Sequence, residues 1–155
     1  PHYSAIKSKN LTVNELLTIA SLVEKEGAKT EDRKLIAGVF YNRLNLGMPL
    51  QSNIAILYAQ GKLGQNISLA DDAGIDTSIN SPYNVYTKSG LMPGPVDSPS
   101  QDAIEASINQ TKSENLYFVA NVTDGKVYYA ANQEEHDRNV AEHVNSKLTQ
   151  NSSSN

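Results

Sequence analysis

The 155-residue sequence contains no cysteine and no tryptophan, and it has only two phenylalanines. The missing cysteines exclude disulfide bonds, thiolate metal ligands and cysteine nucleophiles, and they leave the cellular compartment open. No stretch approaches the roughly 18 apolar residues of a spanning helix, and none has the composition of a signal peptide. Because the chain begins with Pro1 rather than methionine, we expect it to be a piece of a longer protein.

An excess of basic charge is also missing. Thirteen Lys and Arg residues stand against seventeen Asp and Glu residues, for a net charge of −4, so no basic surface for nucleic acid or anionic lipid is expected. The sequence has no G-x-G-x-x-G loop, no Walker-type loop and no G-x-S-x-G elbow, which leaves nucleotide-binding and α/β-hydrolase functions without support. The 39% hydrophobic and 19% charged residues are typical of a folded domain.

The first half of the chain is predicted to be helical. Thr12 and Glu15 form a capping box at the start of a helix that is apolar nearly all round, and Gly27 is expected to end it in a left-handed cap. A second helix should begin near Thr30 and end at Gly47, before a short helix in "IAILYAQG".

The second half mixes loop, helix and strand signals. Residues 62–98 carry turn residues throughout, and we expect an ordered loop that forms the wall of a cleft. Ser98 should cap a further helix, Asp124-Gly125 should turn a β-hairpin, and Asn132 should begin the last helix. The fold class is therefore α+β, with residues 1–11 as a lead-in, 12–148 as one domain and 149–155 as a disordered tail.

Two glutamates, Glu24 and Glu26, stand at the end of the first helix in "SLVEKEG". Glutamates at helix ends are usually solvated, but at about 100° per residue both fall on apolar sides of this helix. Apolar neighbours and the negative end of the helix dipole raise a carboxyl pKa, as a general acid requires. The helical wheel slightly favours Glu24 as the more buried and does not identify the catalytic residue.

Other polar residues suggest a ligand without charge. "GMPLQSN", "SPYNVYT" and "GLMPGPVDSP" combine amides, hydroxyls and tyrosines with rigid turns, which suits a neutral polyhydroxylated ligand, although the same residues could simply pin a long loop. His136 and His143 lie seven residues apart, too far for the H-x-x-x-H spacing of metal ligands. We therefore predict no metal site.

Several motifs together resemble one family. "ASLVEKEG", "VFYNRLNLGMPLQSN", "SPYNVYTKSGLMPGPVDSPS", "LYFVAN" and "EEHDRNV" occur in the order and approximate spacing of the endolytic murein transglycosylases (MltG, YceG-like), over roughly residues 12 to 148. The resemblance implies a mainly helical, lysozyme-like catalytic core with a long ordered loop and a small β-hairpin. It implies a lyase that cleaves inside peptidoglycan glycan strands without water, leaves 1,6-anhydro-N-acetylmuramyl ends and uses no cofactor.

The resemblance also assigns residues. It implies that Glu26, the second glutamate of V-E-K-E, is the catalytic acid and then base, although Gly27 stands where the family usually has Thr or another small residue. Asn53 replaces an Asp that is frequent in the family, so we expect that the reaction does not need a second ionised carboxylate at that position. Glu24 and Arg43 are expected to support the site, with Glu24 hydrogen-bonded to Arg43 or to loop backbone. Contacts with the sugar are expected from five residues: Gln51, Ser52, Tyr83, Asn84 and Tyr86.

The implied partners are peptidoglycan glycan strands and the peptidoglycan synthases of the cell-wall machinery. Full-length family members carry an N-terminal membrane helix and a LysM-like region, so the resemblance implies a location at the outer face of the bacterial cell membrane, with this piece itself soluble. Two other functions stay open: a peptidoglycan-binding module without catalysis, and a muramidase that hydrolyses the same bond. The hydrolytic product would be heavier by one water.

Overall fold

The computed structural model describes residues 11–60, 77–121 and 124–145. The chain divides into two compact units, one up to Lys112 and one from Ser113. The described elements of the first unit are four helices: α1 (Val13–Glu26), α2 (Thr30–Leu46), α3 (Asn53–Ala59) and α4 (Gln101–Ile108). Those of the second are strands β1 (Tyr117–Ala120) and β2 (Val127–Ala130), helix α5 (Gln133–Val140) and a π-helical turn (Ala141–Asn145).

Helix α1 is the centre of the first unit. The predicted capping box is present: the Thr12 hydroxyl accepts from the Glu15 N–H, and the Glu15 carboxylate accepts from the Thr12 N–H. Seven of the eight positions from 16 to 23 are buried, and the eighth, Leu17, is half-buried; the buried residues are Leu16, Thr18, Ile19, Ala20, Ser21, Leu22 and Val23. A helix buried on most of its circumference must be covered by neighbours on several sides, and α2, α3 and α4 all contact it.

The left-handed cap predicted at Gly27 is wrong. Gly27 has an extended backbone, with φ −125° and ψ 135°, which any residue can adopt. A β-carbon there would lie 3.1 Å from Cγ of Arg33 and 3.1 Å from Cδ1 of Ile36. A side chain at this position would therefore require small shifts of Arg33 and Ile36, because α2 approaches the end of α1 closely. At the end of α2, by contrast, Gly47 does adopt the left-handed conformation, at φ 69°.

Helices α2 and α4 complete the core around α1. Ile36, Val39 and Phe40 of α2 are buried, and the Tyr41 hydroxyl donates to the Ser107 carbonyl at 2.8 Å, which ties α2 to α4. Helix α4 begins two residues later than predicted. Its N-cap is Ser100, whose hydroxyl accepts from an N–H in the first turn, whereas Ser98 lies outside the helix.

The second unit is a hairpin with a helix against it. Strands β1 and β2 pair antiparallel, with Phe118 opposite Tyr129, and Gly125 at φ 73° supplies the predicted turn. Each histidine of interest stacks on a tyrosine of the hairpin: the His136 ring centroid lies 5.0 Å from that of Tyr117, and the centroids of His143 and Tyr128 lie 3.7 Å apart. Packing on the hairpin thus accounts for their spacing.

The predicted α+β class is confirmed, since helices accompany one two-stranded antiparallel sheet in the described ranges. The lysozyme-like character of the core and the 12–148 domain bounds stay predictions. Residues 62–76 of the predicted loop, the lead-in apart from Leu11, and the tail lie outside the described residues. None of the helices that the structure describes combines the length and apolarity needed to cross a bilayer.

Candidate active site

Glu26 is the last residue of α1, and its carboxylate meets the start of α3. The Ser52 hydroxyl donates to Oε1 of Glu26 at 3.0 Å. Ser52 is buried, with 4% of its surface exposed, and occupies the N-cap position of α3 without making a side-chain capping bond. Glu26 itself is half-buried. The site thus pairs an accessible carboxyl with a hydroxyl fixed by the protein core.

The turn that carries Ser52 is built by the end of α2. Arg43, only 5% exposed, donates from Nη1 to the Pro49 carbonyl at 2.7 Å. Gln51 follows in a left-handed conformation, φ 56°, which is uncommon for a residue with a side chain and is often retained at functional sites. Its side chain is exposed, while its N–H donates to the Val85 carbonyl at 3.1 Å. The turn is therefore held at both ends.

Glu24 has a different environment from Glu26. Its Oε2 accepts from the Ser100 hydroxyl at 2.6 Å and from the Ser100 N–H at 3.1 Å, while Oε1 lies 3.4 Å from Nη2 of Arg33. The Ser100 hydrogen bond, above all, holds the pKa of Glu24 below its ordinary value. The raised pKa expected at Glu24 is therefore wrong, because polar partners outweigh its burial. Its arginine partner is Arg33 where Arg43 was expected, and its backbone partner is Ser100.

Arg33 is a residue of this site that sequence reasoning missed. Its Nε donates to the Gly27 carbonyl at 2.8 Å, its Nη1 contacts Asp102 at 2.7 Å and its Nη2 reaches Glu24. One guanidinium therefore holds the residues on both sides of Lys25-Glu26 and ties them to α4. The planar fork of arginine suits this multiple bonding. A signal was present in the sequence, since Arg33 lies one turn into α2, directly after the glutamate segment, but its partner Asp102 is 69 residues away.

The irregular segment from residue 77 to 100 is fixed along α1. In order along the helix, the contacts are Asn14 Nδ2 to Pro93 O at 3.0 Å, Val96 N to Ser21 Oγ at 3.1 Å, and Lys25 Nζ to Asp97 Oδ2 at 3.3 Å. Residue numbers increase together along α1 and along the segment from one contact to the next, so the two run parallel. The described part of the long loop is thus held in order beside α1, and its role as the wall of a cleft stays a prediction.

Asn84 holds this segment together from inside. It is fully buried, and its Nδ2 donates to the carbonyls of Thr77 and Ile79 while its Oδ1 accepts from the N–H groups of Tyr86 and Thr87. Both amide donors and both acceptor positions are therefore used. The geometry gives Asn84 a structural task in the loop, whereas the sugar contact predicted for it would require these bonds to break.

The tyrosines of the segment are more open. Tyr83 and Tyr86 are half-buried, and the Tyr83 ring packs against Tyr58 of α3, with centroids 4.7 Å apart and planes tilted by 49°. Tyr58 was not predicted as a site residue, although it is 39% exposed. Its position in an apolar helical run concealed it.

The structure thus brings Glu26 together with Ser52, and through the turn with Gln51 and the 83–86 segment. Glu24 belongs to a neighbouring polar network on α4. A half-buried carboxyl beside a fixed hydroxyl and an exposed amide can transfer a proton to a neutral, hydroxyl-rich ligand. Over the described ranges, no three His, Asp or Glu side chains are grouped as metal ligands would be.

Comparison with known proteins gives a consistent result. A model of the YceG-like family matches residues 2–142. A protein named endolytic murein transglycosylase from Streptococcus pneumoniae D39 is 87% identical over 148 residues, which cover 96% of this chain and 27% of that protein. A protein of the same name from Bacillus subtilis 168 is 38% identical over 144 residues, which cover 93% of this chain and 38% of that protein.

A solved structure agrees with these relatives. The crystal structure of a YceG-like protein from Listeria monocytogenes matches 88% of this chain and 43% of that chain, with a TM-score of 0.77 at 38% identity. The chain spans 27% of the pneumococcal relative's length and 38% of the Bacillus relative's. Because the family model covers nearly all of the chain and the relatives align over more than nine-tenths of it, the chain belongs to the YceG-like family.

Proposed function

We propose that this chain is the catalytic region of an endolytic peptidoglycan lytic transglycosylase, a lyase that cleaves the bond between N-acetylmuramic acid and N-acetylglucosamine within glycan strands. The observation that carries the proposal is the placement of Glu26 at the end of α1, half-buried and held by the Ser52 hydroxyl at 3.0 Å. Family membership and the names of the relatives support it. The pneumococcal and Bacillus relatives are both named endolytic murein transglycosylase.

In the proposed reaction Glu26 begins as a carboxylic acid. Its Oε1 accepts from the Ser52 hydroxyl, and the carboxyl group carries one proton. This proton passes to the glycosidic oxygen, the bond from C1 to that oxygen breaks, and its electron pair stays on the glucosamine oxygen, which leaves as a hydroxyl group. The N-acetyl group of the muramic acid can stabilise the positive charge that develops at C1.

The second half of the reaction uses the same residue as a base. The muramic acid 6-hydroxyl oxygen forms a bond to C1, and its proton passes to the Glu26 carboxylate, which restores the acid. The Ser52 hydrogen bond stabilises the carboxylate between the two steps, because a donor favours the charged form. No water is consumed, and the product is a 1,6-anhydro ring.

Glu24 is unsuited to the acid role. Its lowered pKa keeps it ionised near neutral pH, and both of its oxygens are engaged, by Ser100 and Arg33. We propose that it acts as a positioning residue that fixes the end of α1. Ordinary glycosidases need a second carboxylate as nucleophile or base. Here the substrate's own 6-hydroxyl and N-acetyl groups would replace it.

We further propose which residues contact the sugar. Gln51, exposed in its strained turn, would offer its amide, and the half-buried Tyr83 and Tyr86 would offer rings and hydroxyls. Ser52 would act through Glu26, and Asn84 would act by keeping the 77–98 wall in shape. A wall beside the site would exclude water, which is what a reaction that avoids hydrolysis requires.

The remaining proposals concern the whole protein. A lysozyme-like arrangement of the core, action outside the cytoplasmic membrane through an N-terminal membrane helix, and association with peptidoglycan synthases all follow from the family resemblance. These proposals apply to a full-length protein. The pneumococcal relative is several times longer than this chain.

The test is the mass of the reaction products. Purified peptidoglycan is incubated with the protein, and the soluble fragments are analysed by mass spectrometry. Anhydro-muramyl ends support the proposal. Ends heavier by one water would identify a hydrolytic muramidase, and sedimentation with peptidoglycan without any cleavage would identify a binding module; either result overturns it.

A further inference from the structure

Lys25 and Asp97 form an ion pair directly beside the proposed catalytic acid. Nζ of Lys25 lies 3.3 Å from Oδ2 of Asp97, and the two side chains are 38% and 34% exposed. Lys25 immediately precedes Glu26 in the last turn of α1. The reaction proposed at Glu26 gives neither residue a part. Because an ion pair this exposed contributes little to stability, its effect on the charge beside Glu26 is the more important one.

Asp97 is fixed at the end of α1 by its neighbours in the chain. On one side, the N–H of Val96 donates to Oγ of Ser21 at 3.1 Å, and both of these residues are buried. On the other side, the hydroxyl and the N–H of Ser100 donate to Glu24 at 2.6 Å and 3.1 Å. These bonds hold the backbone before and after Asp97, so its carboxylate is kept close to the last turn of α1.

The charge of Lys25 acts on Glu26 through space. Consecutive Cα atoms are about 3.8 Å apart, so the ammonium and the carboxyl group are separated by on the order of 10 Å. A cation at this distance favours the carboxylate and thus opposes the protonated form that a general acid needs. The anion of Asp97 opposes the cation. Its charge reaches this turn, since the pKa of Glu24 is lowered above all by the Ser100 hydrogen bond and is pushed upwards by Asp97.

The other charged groups around this turn include both signs. They come from three helices: Glu24 of α1, Arg33 and Arg43 of α2, and Asp102 of α4. Helix α3 has no charged residue in its sequence, and the phenols of Tyr58 and Tyr83 are neutral near pH 7. Two cations thus accompany two anions. Loss of Asp97 alone would therefore leave the positive charge of Lys25 unbalanced beside Glu26.

We propose that Asp97 is a positioning residue that acts on Glu26 through Lys25: it neutralises the ammonium group and so allows Glu26 to hold its proton before cleavage. This inference rests on the proposed function, in which Glu26 begins as a carboxylic acid. In this role neither Lys25 nor Asp97 exchanges a proton with the substrate. The pair sets the pH at which the acid is ready.

The experiment titrates the Glu26 carboxyl group directly. Glutamate side chains are labelled with carbon-13, the Glu26 signal is assigned by its absence from the Glu26→Gln spectrum, and its titration midpoint is recorded by NMR at low salt. Asp97→Asn should lower the midpoint by about 0.2–0.5 pH units, the Coulomb effect of one charge at such a distance. Lys25→Met should raise it by a similar amount, and the double variant should return close to the unmutated protein.

Two further variants separate charge from mere attachment. Lys25→Glu combined with Asp97→Lys keeps an ion pair and reverses its direction, so the midpoint should rise, whereas a pair that only holds the segment in place predicts no change. Glu134→Gln is the matched control, because it removes one partner of the exposed pair with Arg138. It should leave the midpoint of Glu26 where it is.

The proposal is overturned if neither Asp97→Asn nor Lys25→Met shifts the midpoint, or if both shift it in the same direction. Thermal unfolding verifies that each variant is folded, and should Asp97→Asn not fold, the sign of the Lys25→Met shift decides. Failure of the proposed function is a separate result. The titration requires no cleavage, whereas the proposed function is decided by the masses of the products that the unmutated protein releases.

Discussion

The Ser52 hydroxyl donates to Glu26 at 3.0 Å instead of capping its own helix. Serine is favoured at an N-cap because its oxygen accepts from an N–H of the first turn, and Ser52 occupies that position without making the bond. The helix thus gives up a local stabilising contact, and the hydroxyl becomes part of the site. Such a departure from local rules is typical of functional residues.

Ser52→Ala tests the value of this contact. A hydrogen bond to a charged group contributes about 1.5–3 kcal/mol, so we expect the cleavage rate to fall by about tenfold or more. Stability should change little, because the hydroxyl does not cap α3. Ser52→Thr, which keeps the hydroxyl, should retain most of the rate. Equal rates for the alanine variant and the unmutated protein would remove Ser52 from the mechanism.

Arg33→Met should destabilise the protein and slow cleavage. The substitution removes the bonds to Gly27, Asp102 and Glu24 while keeping much of the side chain's length, and we expect a loss of about 1.5–3 kcal/mol in the free energy of unfolding. Arg138→Met is the matched control. Arg138 is 60% exposed in its pair with Glu134, so its loss should cost less than about 0.5 kcal/mol.

Urea unfolding measures both variants, and the cleavage rate is recorded at a temperature where both are folded. Arg33→Lys keeps the positive charge but loses the planar guanidinium group. Its stability should therefore be closer to that of Arg33→Met than to that of the unmutated protein. If Arg33→Met and Arg138→Met unfold at the same urea concentration, the clamp we describe at the end of α1 contributes nothing.

Asn84→Ala should loosen the wall beside the site. It leaves four backbone groups of the loop without their side-chain partner, and each buried group left unsatisfied costs about 1–3 kcal/mol. We expect a lower melting temperature and faster amide exchange in residues 77–98. Asn84→Asp, which places a carboxylate oxygen against the Thr77 and Ile79 carbonyls, should destabilise the loop at least as much as alanine does. Unchanged exchange in the alanine variant would return Asn84 to the list of possible sugar contacts.

Sequence reasoning succeeded where the determining contacts are local. The capping box of Thr12 and Glu15 spans three residues, and the turn at Asp124-Gly125 joins adjacent strands. The geometry of both motifs is determined by residues that are close together in the sequence. The position of Glu26 at the end of a largely buried helix followed equally from apolar spacing along α1.

It failed where the partner is distant in sequence. The sequence pattern at Gly27 predicts a left-handed helix cap, yet its backbone is extended where α2 packs against the end of α1. Glu24 was expected to have a raised pKa, and only the fold brings Ser100, 76 residues away, to its carboxylate. The sequence suggested that Asn84 contacts the sugar, whereas in the structure its side chain makes four hydrogen bonds to loop backbone. Tertiary contacts decide each of these cases.

Acid should destabilise the protein through Glu24 and Asp102. The Ser100 hydrogen bond lowers the pKa of Glu24 from 4.5, and the Arg33 hydrogen bond lowers the pKa of Asp102 from 3.8. Because the unfolded chain binds these protons first, the stability they contribute is complete above the ordinary values and is lost as the pH falls through and below them.

Melting temperature recorded from neutral pH into acid measures this loss. Glu24→Gln and Asp102→Asn should each flatten the acid side of the profile, since the titrating group is gone. Profiles that run parallel to that of the unmutated protein would show that these two carboxylates do not contribute. Glu24→Gln with unchanged stability and activity would also remove Glu24 from its positioning role.

The central claim is that Glu26 alone serves as acid and base. The most direct measurement compares the unmutated protein, Glu26→Gln and Glu24→Gln on purified peptidoglycan, with products identified by mass spectrometry. We expect anhydro-muramyl ends from the unmutated protein, slower formation of the same ends by Glu24→Gln, and a loss for Glu26→Gln at or beyond the upper end of the usual range of about 10²–10⁴ for a general acid. Anhydro ends produced by Glu26→Gln at the unmutated rate would contradict the account.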